Sequence, residues 1–488
     1  MQTFGFVPTA DQAKATAVFS RFLLDRDGSS VMIMRGSAGT GKTSLAAAIV
    51  KTLVKLRQRV ILLAPTGRAA KVFSVNAGRP AFTIHRRIYR QKTFAGESTG
   101  FSLNDNMYHD TLFIVDEASM IANGGGGEGA VFGTGCLLDD MVSFVYGGHN
   151  CRMMIIGDMA QLPPVGEEES PALMADFMAG YGLKVYQCDL NEILRQASGS
   201  GILYNATEIR SMITHDEVTR LPKITFSGFA DIRMVPGGEL IEQLNSSYSE
   251  VGTDETIVIT RSNKRANAYN AGIRGMVLGR EEELTTGDML MVVRNNYYWT
   301  EKAAAEEKAL EDSSTGNGDE RKAESQALPF IANGDRAMVV RVRNLREFYS
   351  LHFADVWLQF PDYDNYEIMV TAVTDSLMAE APALTREQSE RLFNGVMEDY
   401  QDVPLKADRL KKVRQDPCYN ALQIKYAYAV TCHKAQGGQW AHIYVDQGYM
   451  TDDMLSPDYI HWLYTAFTRA TEKLFLVNWP KTQTEGSH

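Results

Sequence analysis

The sequence predicts an α/β protein with parallel sheets covered by helices on both faces, interrupted by a smaller β-rich insertion. Three observations carry that reading. Through the first 190 residues, short apolar, β-rich runs at 31–34, 60–63, 112–115 and 153–156 alternate with helical spacing such as that of 11–24. The alternation resumes at "TIVIT" (256–260), which leads into a helical "NKRANAYNAGIR", and continues with "KYAYAV" (425–430), "HIYVD" (442–446) and "KLFLVNW" (473–479). Between these lies a different texture, "GDRAMVVRVR" and "FADVWLQF…YEIMVTAV", which reads as short antiparallel strands followed by a helical "TREQSERLFNGVMEDY". Buried strands joined by crossover helices form parallel sheets, and such sheets bind ligands at the carboxyl ends of their strands.

At 488 residues the chain is too long for one core, and about two to four domains are expected. With 44% hydrophobic and 22% charged residues, its composition is that of ordinary globular protein. No apolar run approaches the length of a membrane span, and residues 1–24 lack the build of a secretion signal. The five cysteines (Cys136, Cys151, Cys188, Cys418, Cys432) are scattered, which fits reduced thiols in a cytoplasm and suggests no zinc site. A net charge of −11 does not exclude a nucleic-acid partner, because phosphate binding needs only a local basic path. Much of the surplus acid sits in 301–326, read as an exposed excursion, helical first and then a loop. Residues 86–109 read as a small projecting hairpin, and the glycine run 123–135 as a surface loop.

The chemistry starts at "IMRGSAGTGKTS" (33–44). Gly36, Gly41, Lys42 and Thr43 match G-x-x-x-x-G-K-[ST] after a strand and before a helix. Backbone N–H groups from Gly36 through Ser37, Ala38, Gly39, Thr40 and Gly41 to Ser44 can close around phosphate oxygens. Lys42 would bridge the β- and γ-phosphates of ATP, and the Thr43 hydroxyl would ligate Mg²⁺. In "LFIVDEAS", Asp116 and Glu117 follow a buried strand; Asp116 suits the Mg²⁺ shell and Glu117 the attacking water. Nucleoside triphosphate hydrolysis follows from these two signals, but not what it drives.

The further motifs, in order, resemble the superfamily 1 helicases, in particular the RecD-like and Dda-like branch of superfamily 1B. "TADQ" ends in Gln12, where these enzymes carry an adenine-reading glutamine. "GSAGTGKTS", "LAPTGRAAK" (63–71), "TIH" (83–85), "VDEASM", "IIGDMAQLPPV", "LNEILRQ" (190–196), "VTCHKAQGGQW" (430–440) and "LYTAFTRA" (463–470) follow. The resemblance implies that Gln161 contacts the γ-phosphate and attacking water, and that Arg195 and Arg469 reach across a cleft as arginine fingers. It adds Gly437 to the nucleotide-binding set. It also implies that Pro65, Thr66, Arg68, Lys71, Thr83 and His85 line a nucleic-acid strand on the first domain, with Thr260, Asn263, Thr431, His433 and Lys434 on the second. Hydroxyls and amides at strand ends suit phosphate contacts that carry no sequence information.

The architecture so implied has a first RecA-like ATPase domain at 1–85 and 110–189, with a wedge hairpin at 86–109. A second RecA-like domain occupies 190–332 and 420–488, with an acidic insert at 301–328. An SH3-like β-barrel with a helical tower fills 333–419. The hairpin aromatics Tyr89, Phe94 and Phe101 either stack on the last base pair or form the hairpin's own core. The implied activity is an ATP-dependent 5′–3′ DNA helicase acting on single-stranded DNA and single-strand/duplex junctions. It is expected to be a monomer without membrane attachment, with single-strand-binding or replisome proteins as candidate partners. An RNA helicase and an ATP-gated nucleic-acid clamp that does not unwind are the alternatives.

Overall fold

The strand Ser30–Gly36 shows why the parallel sheet forms. Its alternate side chains enter two different cores: Val31 and Ile33 pack with Phe113, Val115 and Ile155, while Met32 and Met34 pack with Phe22, Leu45 and Ile49. A strand buried on both faces has no polar side to show to water, so it reads as one apolar run. In this computed structural model, which describes residues 7–25, 27–94, 97–124, 133–193, 199–214, 220–313 and 330–485, six strands form the sheet. Their order is Ala81–Thr83, Arg59–Ala64, Thr111–Val115, Arg152–Gly157, Ser30–Gly36 and Lys184–Leu190, all parallel. The four strands expected at 31–34, 60–63, 112–115 and 153–156 are all present.

The chain forms two compact units. Met1–Met234, Ala435–Ala441 and Tyr449–His488 make the first; Val235–Lys434 and His442–Gly448 make the second. The late segments join the first unit through specific bonds. Leu162 N–H donates to Thr465 Oγ1 at 2.8 Å, and the Gln436 amide donates to the Leu162 carbonyl at 2.7 Å.

In the first unit the hairpin of Tyr89–Phe94 and Glu97–Leu103 is antiparallel, with Tyr89 opposite Leu103. Two of its aromatics, Tyr89 and Phe101, are engaged by the domain itself. Tyr89 is buried and donates to Asp140 Oδ2 at 2.7 Å, and Phe101 packs on the core under the sheet. Both anchor the hairpin to its domain. The side chain of Phe94 lies outside the described residues, as do most of the glycine run at 125–132 and the acidic stretch 314–329.

In the second unit Thr256–Thr260 pairs in parallel with Ala429–Thr431 and with Trp440–Asp446. A closed five-stranded barrel is built from Met289–Val292, Arg336–Phe348, Leu351–Phe360, Tyr366–Val373 and Leu422–Tyr426. The run 425–430, one strand by its texture, is two: its start closes the barrel and its end joins the parallel sheet. The break at Tyr428 is held from both sides. Asn270 Oδ1 accepts from Tyr428 and Ala429 N–H, and the Tyr428 hydroxyl donates to Asp288. Helices Arg386–Asp399 and Lys406–Arg414 follow; Leu392, Val396 and Val413 pack on Leu351, Phe353 and Val373 of the barrel. The acidic excursion at 301–326 starts within helix Tyr298–Ser313.

Asp288 has no exposed surface and is gripped by Arg274 at 2.9 Å, Arg280 at 2.7 Å and Thr285 N–H at 2.8 Å. Although burial alone would raise its pKa, the Arg274 side chain leads the groups that hold the carboxyl below the usual range. Removing one partner of a buried ion cluster leaves uncompensated charge. Asp288→Ala is therefore expected to cost about 3 kcal/mol or more, read as a lowered midpoint in urea unfolding followed by far-UV circular dichroism.

Candidate active site

Strand Ser30–Gly36 ends at the phosphate loop, and helix Lys42–Lys55 begins where the loop ends. Gly36 is required by space. A Cβ there would lie 2.9 Å from each of Leu190 Cβ, Lys42 Cγ and Thr40 Oγ1. Gly41, the helix N-cap, is required by conformation, at φ 78. In this structure Lys42 is folded back: its ammonium donates to the carbonyls of Gly36 and Ser37, the latter at 3.2 Å, and lies 3.6 Å from Asp158 Oδ2. Thr43 is half-buried and Ser44 exposed at the helix start.

Gln12 is fully buried beside this loop. Its amide donates to the Thr40 carbonyl at 3.0 Å and accepts from Thr9 N–H at 3.0 Å, closing a capping box on helix Ala10–Leu24. Here it ties the loop to a helix start.

The acidic pair follows strand Thr111–Val115. Glu117 sits in the left-handed region at φ 52, which costs a non-glycine residue about 1–3 kcal/mol and is retained only where surroundings enforce it. Its N–H donates to Asp116 Oδ1 at 2.9 Å. Burial first, then the neighbouring Glu117 charge, pushes the Asp116 carboxyl up to about 7, against the pull of Lys42 and Arg469. Such a carboxylate is short of positive charge. Among the described residues no cluster of three or more His, Cys, Asp or Glu forms a cation cage. The Thr43 hydroxyl and the Asp116 carboxylate are oxygen donors of the kind a divalent cation takes.

Arg469 is 2% exposed and lies just past helix Pro457–Phe467. Its Nη1 is 3.5 Å from Glu117 Oε1 and donates to the Gly438 carbonyl at 3.3 Å. With the Gln161 amide oriented to satisfy both neighbours, Gln161 accepts from Arg469 Nη2 at 2.8 Å and donates to Glu117 Oε2 at 3.3 Å. Arg469 Nε is buried with no hydrogen-bond acceptor among the described residues. Glu117, Gln161 and Arg469 are thus one cluster, and Arg469 belongs to the same compact unit as Lys42. Arg195 lies outside the described residues.

Gly437, at φ +72, lets the chain pass Thr66 and Met120; an added Cβ would come within 3.0 Å of Thr66 Oγ1. Three residues at the loop were not singled out from sequence. Asp158, 2% exposed, accepts from the Tyr464 hydroxyl at 2.7 Å. Tyr464 in turn accepts from Ala38 N–H at 2.9 Å. Arg210 donates to Ser37 Oγ at 2.8 Å and to Asn191 Oδ1 at 2.8 Å. Asp158 had a signal, an acid just beyond a strand end, as at Asp116. Tyr464 had none, since a tyrosine in an apolar helix reads as core.

The expected strand-lining residues fall into two sets. In the first unit Thr66 and Thr83 cap the helices Gly67–Ala77 and Ile84–Ile88, accepting from Ala69 and Arg86 N–H. Pro65 is half-buried beyond strand Arg59–Ala64, and Lys71 is half-buried on the first of these helices. Arg68 donates to the Gln439 carbonyl at 2.8 Å and lies over the Trp440 ring. His85 packs against Tyr89, and burial lowers its pKa to about 4, so it is neutral at pH 7. In the second unit Thr260 and Thr431 are register partners at parallel strand ends. Thr260 is fully buried, its hydroxyl proton shared between the Ser262 and Val430 carbonyls, so its donor is used in shaping the strand end. Asn263 opens helix Asn263–Gly272, and His433 is exposed. Lys434 donates to Asn333 Oδ1; burial and then Lys425 lower its pKa to about 8.

Residues 10–221 match the family described as AAA domain, and residues 426–477 that described as UvrD-like helicase C-terminal domain. The chain is 26% identical over 265 residues to the ATP-dependent DNA helicase dda of Enterobacteria phage T4, covering 53% of this chain and 55% of that protein. It is 29% identical over 180 residues to the ATP-dependent RecD2 DNA helicase of Deinococcus radiodurans, covering 37% of this chain and 21% of the relative. It thus spans about half of the phage relative and about a fifth of the bacterial one. A crystal structure of Bacteroides Pif1 helicase with ADP-AlF3 and single-stranded DNA aligns over 98% of this chain and 94% of that one, at 15% identity and a TM-score of 0.46.

Gly36→Ala should close the phosphate loop, because two of the three atoms a Cβ would strike, Lys42 Cγ and Thr40 Oγ1, belong to the loop itself. A fluorescent ADP titration should show binding lost, with a lowered melting temperature in the same preparation.

Proposed function

We propose that this chain, which belongs to the RecD-like and Dda-like branch of the superfamily 1B helicases, couples ATP hydrolysis to movement along single-stranded DNA and unwinds duplex ahead of it, 5′ to 3′. The observation that carries the reading is the Glu117–Gln161–Arg469 cluster. A strand-end carboxylate, an amide able to orient water, and a buried guanidinium converge in the unit that bears the phosphate loop. Hydrolysis of a terminal phosphate needs these groups: a base or orienting residue for water and fixed positive charge for the transition state.

In this reading the loop amides from Ser37 to Ser44 receive the phosphates, and Lys42 leaves the Gly36 and Ser37 carbonyls for the β- and γ-oxygens. Thr43 and Asp116 would hold Mg²⁺, which neutralises charge on those oxygens when bound. Glu117 accepts a proton from the attacking water, Gln161 holds that water in line, and Arg469 stabilises the charge that develops. Arg195, by its motif, is assigned a second guanidinium role. Gln12 and Gly437 border the nucleotide.

The assigned domains are a first RecA-like domain at 1–85 and 110–189, a second at 190–332 and 420–488, a wedge at 86–109, and a barrel with tower at 333–419. Strand contact is assigned to Pro65, Thr66, Lys71 and His85 in the first set, and to Asn263, Thr431, His433 and Lys434 in the second. Arg68, Thr83 and Thr260 support these contacts through the bonds described above. The assigned track is DNA, and the supporting fact is that both relatives compared carry DNA helicase in their names.

Strand displacement on duplexes with a 5′ or a 3′ single-stranded tail, in DNA and RNA forms, tests the whole reading; ATP-dependent displacement of the 5′-tailed DNA alone is expected. Lys42→Ala should lose at least 100-fold in ATP turnover, on the order of what a single transition-state contact supplies, while retaining strand binding. Arg469→Ala should lose turnover comparably, and near wild-type turnover in that variant would refute the shared site. Lys434 should act on the strand only while charged. Its lowered pKa means the cation is lost as pH rises through about 8. Single-strand affinity should therefore weaken between pH 7 and pH 9, and Lys434→Met should flatten that part of the profile.

A further inference from the structure

We infer that Tyr464 is an internal competitor for the nucleotide's phosphate, and that its displacement reports loop occupancy to the helix that leads to Arg469. This rests on the reading of the loop as an ATP site. Tyr464 is 1% exposed and lies on helix Pro457–Phe467. Its hydroxyl makes two bonds. It accepts from Ala38 N–H at 2.9 Å and donates to Asp158 Oδ2 at 2.7 Å.

Ala38 lies between Ser37 and Gly39, inside the loop whose amides form the phosphate nest. A backbone amide has one proton to give. The tyrosine hydroxyl and a phosphate oxygen therefore exclude each other at Ala38. The second bond extends the competition. The carboxylate that receives the Tyr464 proton is the one lying 3.6 Å from Lys42, whose ammonium is folded onto loop carbonyls. Tyr464 thus takes up the Ala38 N–H, and Asp158 links it to the Lys42 ammonium.

The same helix is fastened to the chain around Gln161 at other points. His461 Nδ1 lies 2.9 Å from the Ala160 carbonyl, and Thr465 Oγ1 accepts from Leu162 N–H at 2.8 Å. Beyond its end comes Arg469, on Gln161 and Glu117. Phosphate arriving at Ala38 frees the Tyr464 hydroxyl from the loop, and the bonds flanking Gln161 are the ones that feel the change. Tyr464 is thus a positioning residue, acting on the reaction through the loop amide and Asp158.

The test is equilibrium titration of fluorescent ADP with Mg²⁺ into wild-type, Tyr464→Phe and Lys42→Ala proteins, with melting curves of each in the absence of nucleotide. Phenylalanine keeps the ring and removes the competitor. Tyr464→Phe should bind nucleotide about two- to tenfold more tightly, the range set by one hydrogen bond no longer broken on binding. Its unliganded melting temperature should be unchanged or lower. A residue that only packs would lose both affinity and stability. Nucleotide affinity equal to or below wild type in Tyr464→Phe overturns the inference while leaving the ATP site standing. A wild-type protein that binds no nucleotide, or binds it no better than Lys42→Ala, overturns both. As a measurement that needs no destabilising change, 3-fluorotyrosine placed at 464 alone should show a fluorine resonance that moves on addition of Mg²⁺ and ADP. A resonance that stays in place counts against the inference.

Discussion

A guanidinium that is almost wholly out of water must be met by acceptors, because the fixed charge of arginine cannot be neutralised by losing a proton. Arg469 meets this demand with the Gly438 carbonyl, the Gln161 amide oxygen and the Glu117 carboxylate. That requirement organises the site. It places a late stretch of chain beside Glu117 and Gln161 of the first unit, where Glu117 has the left-handed backbone conformation uncommon for a non-glycine residue. Arg469 Nε retains a buried hydrogen without an acceptor among the described residues, so the cluster is not fully satisfied as it stands. An anion beside it would complete the coordination.

The sheet explains why these groups can meet at all. In a parallel sheet all carboxyl ends lie on one edge, and Gly36, Asp116 and Asp158 each follow such an end. Lys42, at the helix start after Ser30–Gly36, and Asp116, after Thr111–Val115, therefore lie on the same edge, with only the strand that leads to Asp158 between them. The surrounding electrostatics are not balanced: burial and then Glu117 raise the Asp116 pKa more than Lys42 and Arg469 lower it. A site poised in this way gains most from a ligand that carries both phosphate and a divalent cation.

The parts legible in sequence were those with a local physical cause. Buried strands of the first sheet announce themselves as apolar runs, and the phosphate loop as glycines that must adopt positive φ or admit close neighbours. The barrel was legible as texture, but its closing strand was not. Residues 425–430 look like one strand, and residues far off in sequence, Asn270 and Asp288 among them, hold the break between the two. Tyr89 and Phe101 were open to two readings because an aromatic in a hairpin gives no sign of whether its partner is solvent or a core. Tyr464 was hidden for the same reason: its apolar helix explains the ring, and nothing nearby in sequence explains the hydroxyl. Gln12 was legible as a residue of importance, yet the capping box it makes with Thr9 shows a structural reason for a glutamine at that position.

The account stands or falls on whether Arg469 and Lys42 act on one phosphate. The most direct measurement is a crystal structure with ADP and aluminium fluoride, a mimic of phosphoryl transfer. The account predicts Lys42 Nζ and an Arg469 guanidinium nitrogen both within hydrogen-bond distance of the fluoride ligands, with Lys42 released from the Gly36 and Ser37 carbonyls. A complex in which the mimic is bound and Arg469 remains turned away from it, paired only with Glu117 and Gln161, would contradict the account.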